Sequence, residues 1–234
     1  MIFKDRYEAG EKLAEALSSF FGRSDIVILA LPRGGVPVGY ELAKALRAPL
    51  DVFLVRKLGV PGHEELAMGA IASNDVMVLN EGVINAYGVS ETQLEIVAER
   101  EHKEVVRRAF LYRGDRPQID LSNKTAILAD DGFATGASMR AAVTAVRQLQ
   151  PSYIVVAVPT AAPETCESFE PIVDEVVCLI TPAPFAAVGY WYEDFSQTTD
   201  EEVRELLDRA NNRFQQYELA RLENKEPYEP RAEA

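Results

Sequence analysis

Two stretches of the chain share one unusual layout, and together they restrict its fold more than anything else. In the first, an apolar run over 125–129 ends in Asp130 and Asp131. A loop of small residues follows, Gly132-Phe133-Ala134-Thr135-Gly136-Ala137-Ser138, and then a helical pattern over 139–149. In the second, an apolar run over 26–31 leads through Pro32-Arg33-Gly34-Gly35 into a helical pattern over 36–46. A buried strand that feeds a helix through a short loop is the unit of a parallel sheet. Repeated along the chain, it implies an α/β fold: a mostly parallel central sheet with helices on both faces. In such sheets ligands sit beyond the C-terminal ends of the strands, where both loops fall.

Periodicity predicts the other elements. Helices are expected over 5–21, with Leu13, Ala16, Leu17 and Phe20 at helical spacing, over 90–113, and over 199–222. Ser90, with Gln93 three residues later, reads as a capping box. Strands are expected over 50–55, 68–73, 76–79, 153–158 and 175–180, with Asn74-Asp75 as a turn. A single domain over 1–225 and a fraying acidic tail over 226–234 are expected. Strand order is not readable from this pattern.

Charge narrows the partners. A net charge of −13 argues against a general nucleic-acid surface, although local loops of an acidic protein still bind a small polyphosphate. No run approaches the ~20 apolar residues of a membrane span. Residues 1–6 show no apolar signal core. A cytoplasmic protein with no membrane partner is the expectation. Cys166 and Cys178 are too few for a zinc cluster, and their apolar settings suggest buried free thiols.

The loop after Asp131 has the chemistry of a phosphate site. Gly132 and Gly136 permit close backbone approach, Thr135 and Ser138 add hydroxyls, and the following helix N-terminus offers free N–H groups. A plain βα turn with a polar cap is the ordinary alternative for such residues. Two carboxylates at the mouth suit a ligand that also brings hydroxyls, a metal or developing positive charge. At the second loop, Arg33 supplies a charged fork beside Gly34 and Gly35. Arg56-Lys57 ends the next expected strand, and the Gly-rich 58–65 segment after it reads as a loop, with its closure over the site as a lid left open. His63 in that loop is a candidate proton donor or a solvated residue, and His102 reads as a surface residue.

The 125–138 segment resembles the diphosphosugar motif of the type I phosphoribosyltransferases, and the 188–202 segment looks like an uncharacterised branch of that superfamily. The resemblance implies that Asp130 and Asp131 face the ribose hydroxyls as catalytic acids, while Gly132 to Ser138 hold the 5′-phosphate. Phe133 is bulkier than the usual aliphatic residue there. Arg33-Gly34-Gly35 resembles the family's pyrophosphate loop, where a non-proline cis peptide is typical; carried over, it falls at Arg33–Gly34. The resemblance also implies that Arg56 and Lys57 contact pyrophosphate or a metal-bound oxygen, as the basic pair does in several family members. The family's Mg²⁺ enters with phosphoribosyl pyrophosphate, held mainly by that ligand, with Asp130 a candidate protein donor. Its acceptor-binding hood corresponds to 181–195, with Phe185 and Trp191 as candidate acceptor contacts. Thr160 stands where six-oxopurine enzymes carry a Lys.

The activity so implied is transfer of a 5-phosphoribosyl group to a nitrogen acceptor other than a 6-oxopurine. Its partners are a phosphorylated sugar and a base-like acceptor, with a homodimer left open. The rival is a regulatory protein that binds the same ligands without turnover. A dinucleotide oxidoreductase is disfavoured, because Leu31 to Gly35 lacks the G-x-G-x-x-G spacing.

Overall fold

The computed structural model describes residues 1–73 and 76–223. The expected Asn74-Asp75 turn and the 226–234 tail lie outside them. In chain order the elements begin with α1 (Arg6–Ala16), β1 (Ile26–Ala30), α2 (Gly35–Leu46), β2 (Leu50–Val52), β3 (Val55–Val60), β4 (His63–Ala72) and β5 (Met77–Leu79). They continue with α3 (Glu81–Tyr87), α4 (Glu91–Arg113), β6 (Thr125–Ala129), α5 (Ala137–Arg147), β7 (Tyr153–Thr160), α6 (Pro163–Glu167), β8 (Glu175–Ile180) and α7 (Asp200–Glu223).

Five strands form a parallel sheet in the order β2-β1-β6-β7-β8. Alternation along each strand serves both faces. Ile26, Ile28 and Ala30 of β1 join the core under α1, α2 and α7, while Val27 and Leu29 join the core under α5. β1 is therefore apolar at every position. The chain leaves β1 toward β2 on one side, while β6 lies on the other. A crevice opens at such a reversal, just past the strand ends.

The 50–55 prediction differs from what forms. Leu50–Val52 is the edge strand, and Val55–Val60 belongs to a separate antiparallel sheet in the order β3-β4-β5. The 58–65 segment is accordingly a hairpin rather than a closing loop. Val60 pairs with His63 across Pro61-Gly62, and Gly62 adopts φ 81°, the geometry a Pro-Gly corner favours. Its glycines and proline suggest a loop; pairing with β4, ten residues long, overrides them. Arg56 and Lys57 consequently lie within a strand instead of ending one. The first helix is also shorter than expected, stopping at Ala16 with a 3-10 turn at Ser18–Phe20 after it. The Ser90 capping box forms as expected.

The cysteines correct a second expectation. Cys166 and Cys178 form a disulfide instead of standing as free thiols. β7 and β8 are neighbours, and α6 in the connection between them brings the two Cα atoms to 6.7 Å, within bridging range. Among the described residues, no helix is long and apolar enough to cross a membrane.

One buried ion pair ties α4 to the sheet edge. Arg113 Nε donates to both Asp51 carboxylate oxygens, at 3.0 and 3.2 Å, and Arg113 Nη2 donates to the Val52 carbonyl at 3.0 Å. Both side chains are buried. Burial pushes the Asp51 carboxyl up, and Arg113 opposes that rise. Removing one member of such a pair leaves an uncompensated buried charge, which costs about 3–5 kcal/mol. Arg113→Met is expected to lower unfolding free energy by about that much in urea titrations, and a change within 1 kcal/mol would show that the pair contributes little.

Candidate active site

The register of β1 against β6 brings the two loops together. Ala30 pairs with Ala129, and Leu31 N–H donates to the Ala129 carbonyl at 2.9 Å. Each strand thus releases its loop beside the other. The 31–35 loop carries a cis peptide at Pro32–Arg33, one bond before the Arg33–Gly34 bond that the resemblance suggested. Gly34 and Gly35 rest on the acidic pair. A Cβ on Gly35 would stand 2.7 Å from the Ala129 carbonyl and 2.9 Å from the Asp130 Cα. A Cβ on Gly34 would collide with the Asp131 carboxylate. Close approach, rather than backbone conformation, demands glycine here.

The acids do not share one environment. Asp130 Oδ1 accepts from the Asp131 N–H at 2.9 Å. Asp131 Oδ2 accepts from Arg6 Nε at 2.7 Å. Burial pushes both carboxyls up; the Asp131 charge raises Asp130 further, whereas Arg6 opposes the rise at Asp131. Arg6 is itself held: Nη1 donates to the Ser196 carbonyl at 2.7 Å, and the guanidinium lies 3.9 Å from the Phe195 ring centroid. The Tyr192 hydroxyl donates to the Asp131 carbonyl at 2.6 Å.

The phosphate-type loop is tethered on one side and open on the other. Phe133 N–H donates to the Thr160 carbonyl, Ala162 N–H to the Phe133 carbonyl, both at 3.2 Å, and Thr165 Oγ1 to the Ala134 carbonyl at 2.6 Å. Phe133 is buried, with its ring 5.0 Å from that of Phe169, so its extra bulk serves packing. Ala134, Thr135, Ala137 and Ser138 are exposed. Gly132 (φ 143°) and Gly136 (φ 68°) hold conformations that side-chain-bearing residues rarely adopt. Gly136 caps α5 without a side-chain hydrogen bond to its amides. The first-turn N–H groups, lacking helical partners, remain for an anion.

The basic residues divide. Arg56 joins Pro32, Asp130 and Ser138 in lining the cleft, with Arg108 opposite. Its Nε donates to Glu101 Oε2 of α4 at 2.8 Å. Lys57, one residue on, points to the other side of the strand and reaches Glu65 Oε2 at 3.1 Å. Arg33 Nη1 lies 3.7 Å from Asp200 Oδ1, which also accepts from the Tyr112 hydroxyl at 2.5 Å. In the 181–195 segment, Phe185 and Trp191 stack on each other with centroids 6.4 Å apart, outside the cleft that Asp130 lines. Trp191 Nε1 and Thr160 Oγ1 are buried without a hydrogen-bond partner among the described residues. His63 packs edge-on against Tyr87 at 5.5 Å.

Arg6, Tyr192 and Arg108 are absent from the sequence reading. Arg6 lies 125 positions from Asp131, so no local pattern reveals it. It arrives because the N-terminal segment pairs with the far end: Phe3 N–H donates to the Trp191 carbonyl and Glu193 N–H to the Phe3 carbonyl, both at 2.8 Å. Phe3, fully buried, locks that pairing.

A phosphoribosyl transferase domain model matches residues 3–194, beginning and ending in these two paired segments. The chain belongs to the phosphoribosyl transferase family. It is 45% identical over 213 residues to two Mycobacterium tuberculosis proteins, from strains CDC 1551 and H37Rv, each bearing the name "Putative phosphoribosyl transferase". The match takes in 91% of this chain and 48% of theirs, so the chain spans about half the length of these relatives. The crystal structure of TT1426 from Thermus thermophilus superposes with a TM-score of 0.81 at 45% identity, covering 88% of this chain and 98% of that one. In phosphoribosyl transferase terms, the acidic pair and the Gly34-Gly35 loop meet at the switch point of a five-stranded parallel sheet.

The raised Asp130 carboxyl sets a pH signature. A raised folded-state pKa contributes stability that is complete below the unfolded value, ~3.9, and is lost as pH rises through the folded value. Asp130→Asn removes this titration. Its stability relative to wild type is therefore expected to improve as pH rises from about 4 toward neutrality, measured by urea titration at several pH values. A difference flat with pH would contradict the buried-acid reading. Separately, Gly35→Ala is expected to lower the melting temperature by several degrees, because the new Cβ meets backbone that cannot rotate away.

Proposed function

We propose that the protein transfers a 5-phosphoribosyl group from phosphoribosyl pyrophosphate to a nitrogen acceptor, with release of pyrophosphate. The observation that carries this reading is the seating of the Gly34-Gly35 backbone on Asp130 and Asp131, beside the open first turn of α5. A diphosphosugar has three chemically distinct parts, and the cleft offers each a partner. The 5′-phosphate meets the amides and hydroxyls of 132–138. The ribose hydroxyls meet the acidic pair. The pyrophosphate meets the 33–35 loop, with Arg33 and Arg56 supplying positive charge, while Lys57 faces the other side of its strand.

In the reaction the C1–O bond to pyrophosphate breaks and the acceptor nitrogen bonds C1. The ribosyl ring becomes cationic between the two events. Negative charge at Asp130 and Asp131 stabilises that ring, and the basic groups stabilise the leaving pyrophosphate. This is electrostatic preorganisation in a partly dehydrated cleft. Among the described residues, no cluster of three or more His, Cys, Asp or Glu side chains is arranged to hold a metal. In this reading Mg²⁺ would enter with the ligand, held mainly by the ligand's own oxygens, with Asp130 as a candidate protein donor. Bound there, the ion would supply positive charge to the pyrophosphate oxygens beside Arg33 and Arg56. Phe185 and Trp191 stack on each other outside this cleft, so an acceptor would have to extend beyond it to use their faces.

One observation favours the regulatory alternative: Arg6 already engages the Asp131 carboxylate that a ribose would use. Pyrophosphate release with phosphoribosyl pyrophosphate, Mg²⁺ and a panel of bases separates the two. Release that depends on acceptor and disappears in Asp130→Asn is the expected result. Tight ligand binding with no release from any acceptor would establish the alternative. Within the panel, guanine, hypoxanthine and xanthine are expected to have kcat/KM at least tenfold below the best acceptor. The short Thr160 side chain leaves an exocyclic oxygen without its donor, a loss of ~1–3 kcal/mol. Efficient guanine transfer would show that another group donates.

A further inference from the structure

At the opposite end of α2 from the candidate active site lies a second cleft, between α2 and the middle of α7. Its chemistry contrasts with the rest of this acidic protein. Three cations, Lys44, Arg47 and Arg213, and three aromatic rings, Tyr40, Phe214 and Tyr217, line it, and no carboxylate does. Lys44 is held from outside the cleft by Glu41 and Glu11, at 2.5 and 3.6 Å. Arg47 and Arg213 have no carboxylate within ion-pair distance among the described residues. In a chain with 37 acidic and 24 basic side chains, two exposed arginines that escape pairing while sharing one cleft are unexpected.

The local structure builds the arrangement. Arg47 ends α2 in the left-handed conformation, φ 57°, which turns its side chain back across the cleft. Its guanidinium lies 5.0 Å from the ring centroids of both Phe21 and Tyr217. A guanidinium so stacked keeps its N–H donors at its edge free for oxygen acceptors. Phe214 and Tyr217 are half-buried, so each presents part of its ring. A smaller adjoining hollow shares Arg47, Phe214 and Tyr217; its Arg221 pairs with Glu218, which also lines it, and its Arg23 pairs with Asp25.

We propose that this cleft is a binding site for a nucleoside polyphosphate, separate from the candidate active site. The aromatic rings take the base by stacking, and Arg47 and Arg213 take the phosphates. The cations alone fit any polyanion, and the rings alone any flat molecule; only a ligand carrying both features uses the whole lining. The site is also connected to the first. α2 has 12 residues, about 18 Å of helix, and Gly34-Gly35 enter it at the other end. α7 begins at Asp200, the partner of Arg33. A ligand wedged between the far halves of these two helices bears on both partners of that ion pair.

Isothermal titration calorimetry on the full chain tests the site without recourse to activity. ATP is the probe, with tripolyphosphate and adenosine as controls for its two halves, and saturating ribose 5-phosphate present to fill the candidate active site. ATP is expected to bind under these conditions, and at least tenfold more tightly than either control. Arg47→Ala with Arg213→Ala is expected to weaken ATP at least tenfold, and Arg47→Lys with Arg213→Lys to restore part of the loss. Arg213→Glu alone, at an exposed position, repeats the test should the double variant fold poorly. Absence of ATP binding at millimolar concentration, displacement by ribose 5-phosphate, or affinity unchanged in the variants would overturn the proposal. Equal affinity for tripolyphosphate would overturn its nucleoside part.

Discussion

Everything at the candidate site depends on the contact between a backbone without side chains and a pair of carboxylates. Gly34 and Gly35 approach Asp130 and Asp131 so closely that no Cβ fits between them. That contact exists because β1 and β6 pair in parallel, residue for residue from Ile26 with Thr125 to Ala30 with Ala129. A slip of one residue would turn every side chain of β6 to the other face. It would also carry Asp130 away from Gly35. The apolar residues on both faces of these strands therefore hold the site as much as they hold the core.

Negative charge concentrated in this way requires compensation, and the protein supplies it from the far ends of the sequence. Burial favours the neutral form of both acids, and Arg6 opposes this at Asp131. The Arg6 guanidinium is sandwiched between that carboxylate and the Phe195 ring. Tyr192 reaches the same residue through its backbone carbonyl. The N-terminal segment and the 191–194 segment thus act as one unit, closed by Phe3. The Asp131 carboxylate and the seating of the N-terminal segment are thus linked through Arg6.

The helices on one face carry a longer connection. α2 and α7 pack together along the sheet, with the Arg33–Asp200 pair at one end and the basic, aromatic cleft at the other. Tyr112 anchors Asp200 from α4, and burial with that bond raises its phenol to about 12. The two ends of this helix pair thus differ in chemistry: one meets the acidic pair, the other gathers unpaired arginines.

Short-range information in the sequence determined a good deal. The β6 strand falls where its apolar run predicts it, because a strand buried on both faces needs no partner-specific signal. The strand–loop–helix junctions and the Ser90 capping box were legible for the same reason: each is a local arrangement. Tertiary structure decided what depends on distant partners. The 58–65 segment is rich in turn residues, yet pairing with β4 makes it a hairpin and separates Lys57 from Arg56. Cys166 and Cys178 bridge because β7 and β8 are neighbours, a consequence of strand order that local patterns do not encode. Arg6 reaches Asp131 across 125 positions, through packing around one buried phenylalanine. The sequence by itself determined the strands, the loops and their chemistry; the folded chain decided which charges face one another, because charge pairing is settled by neighbours in space and only strand order and packing supply those.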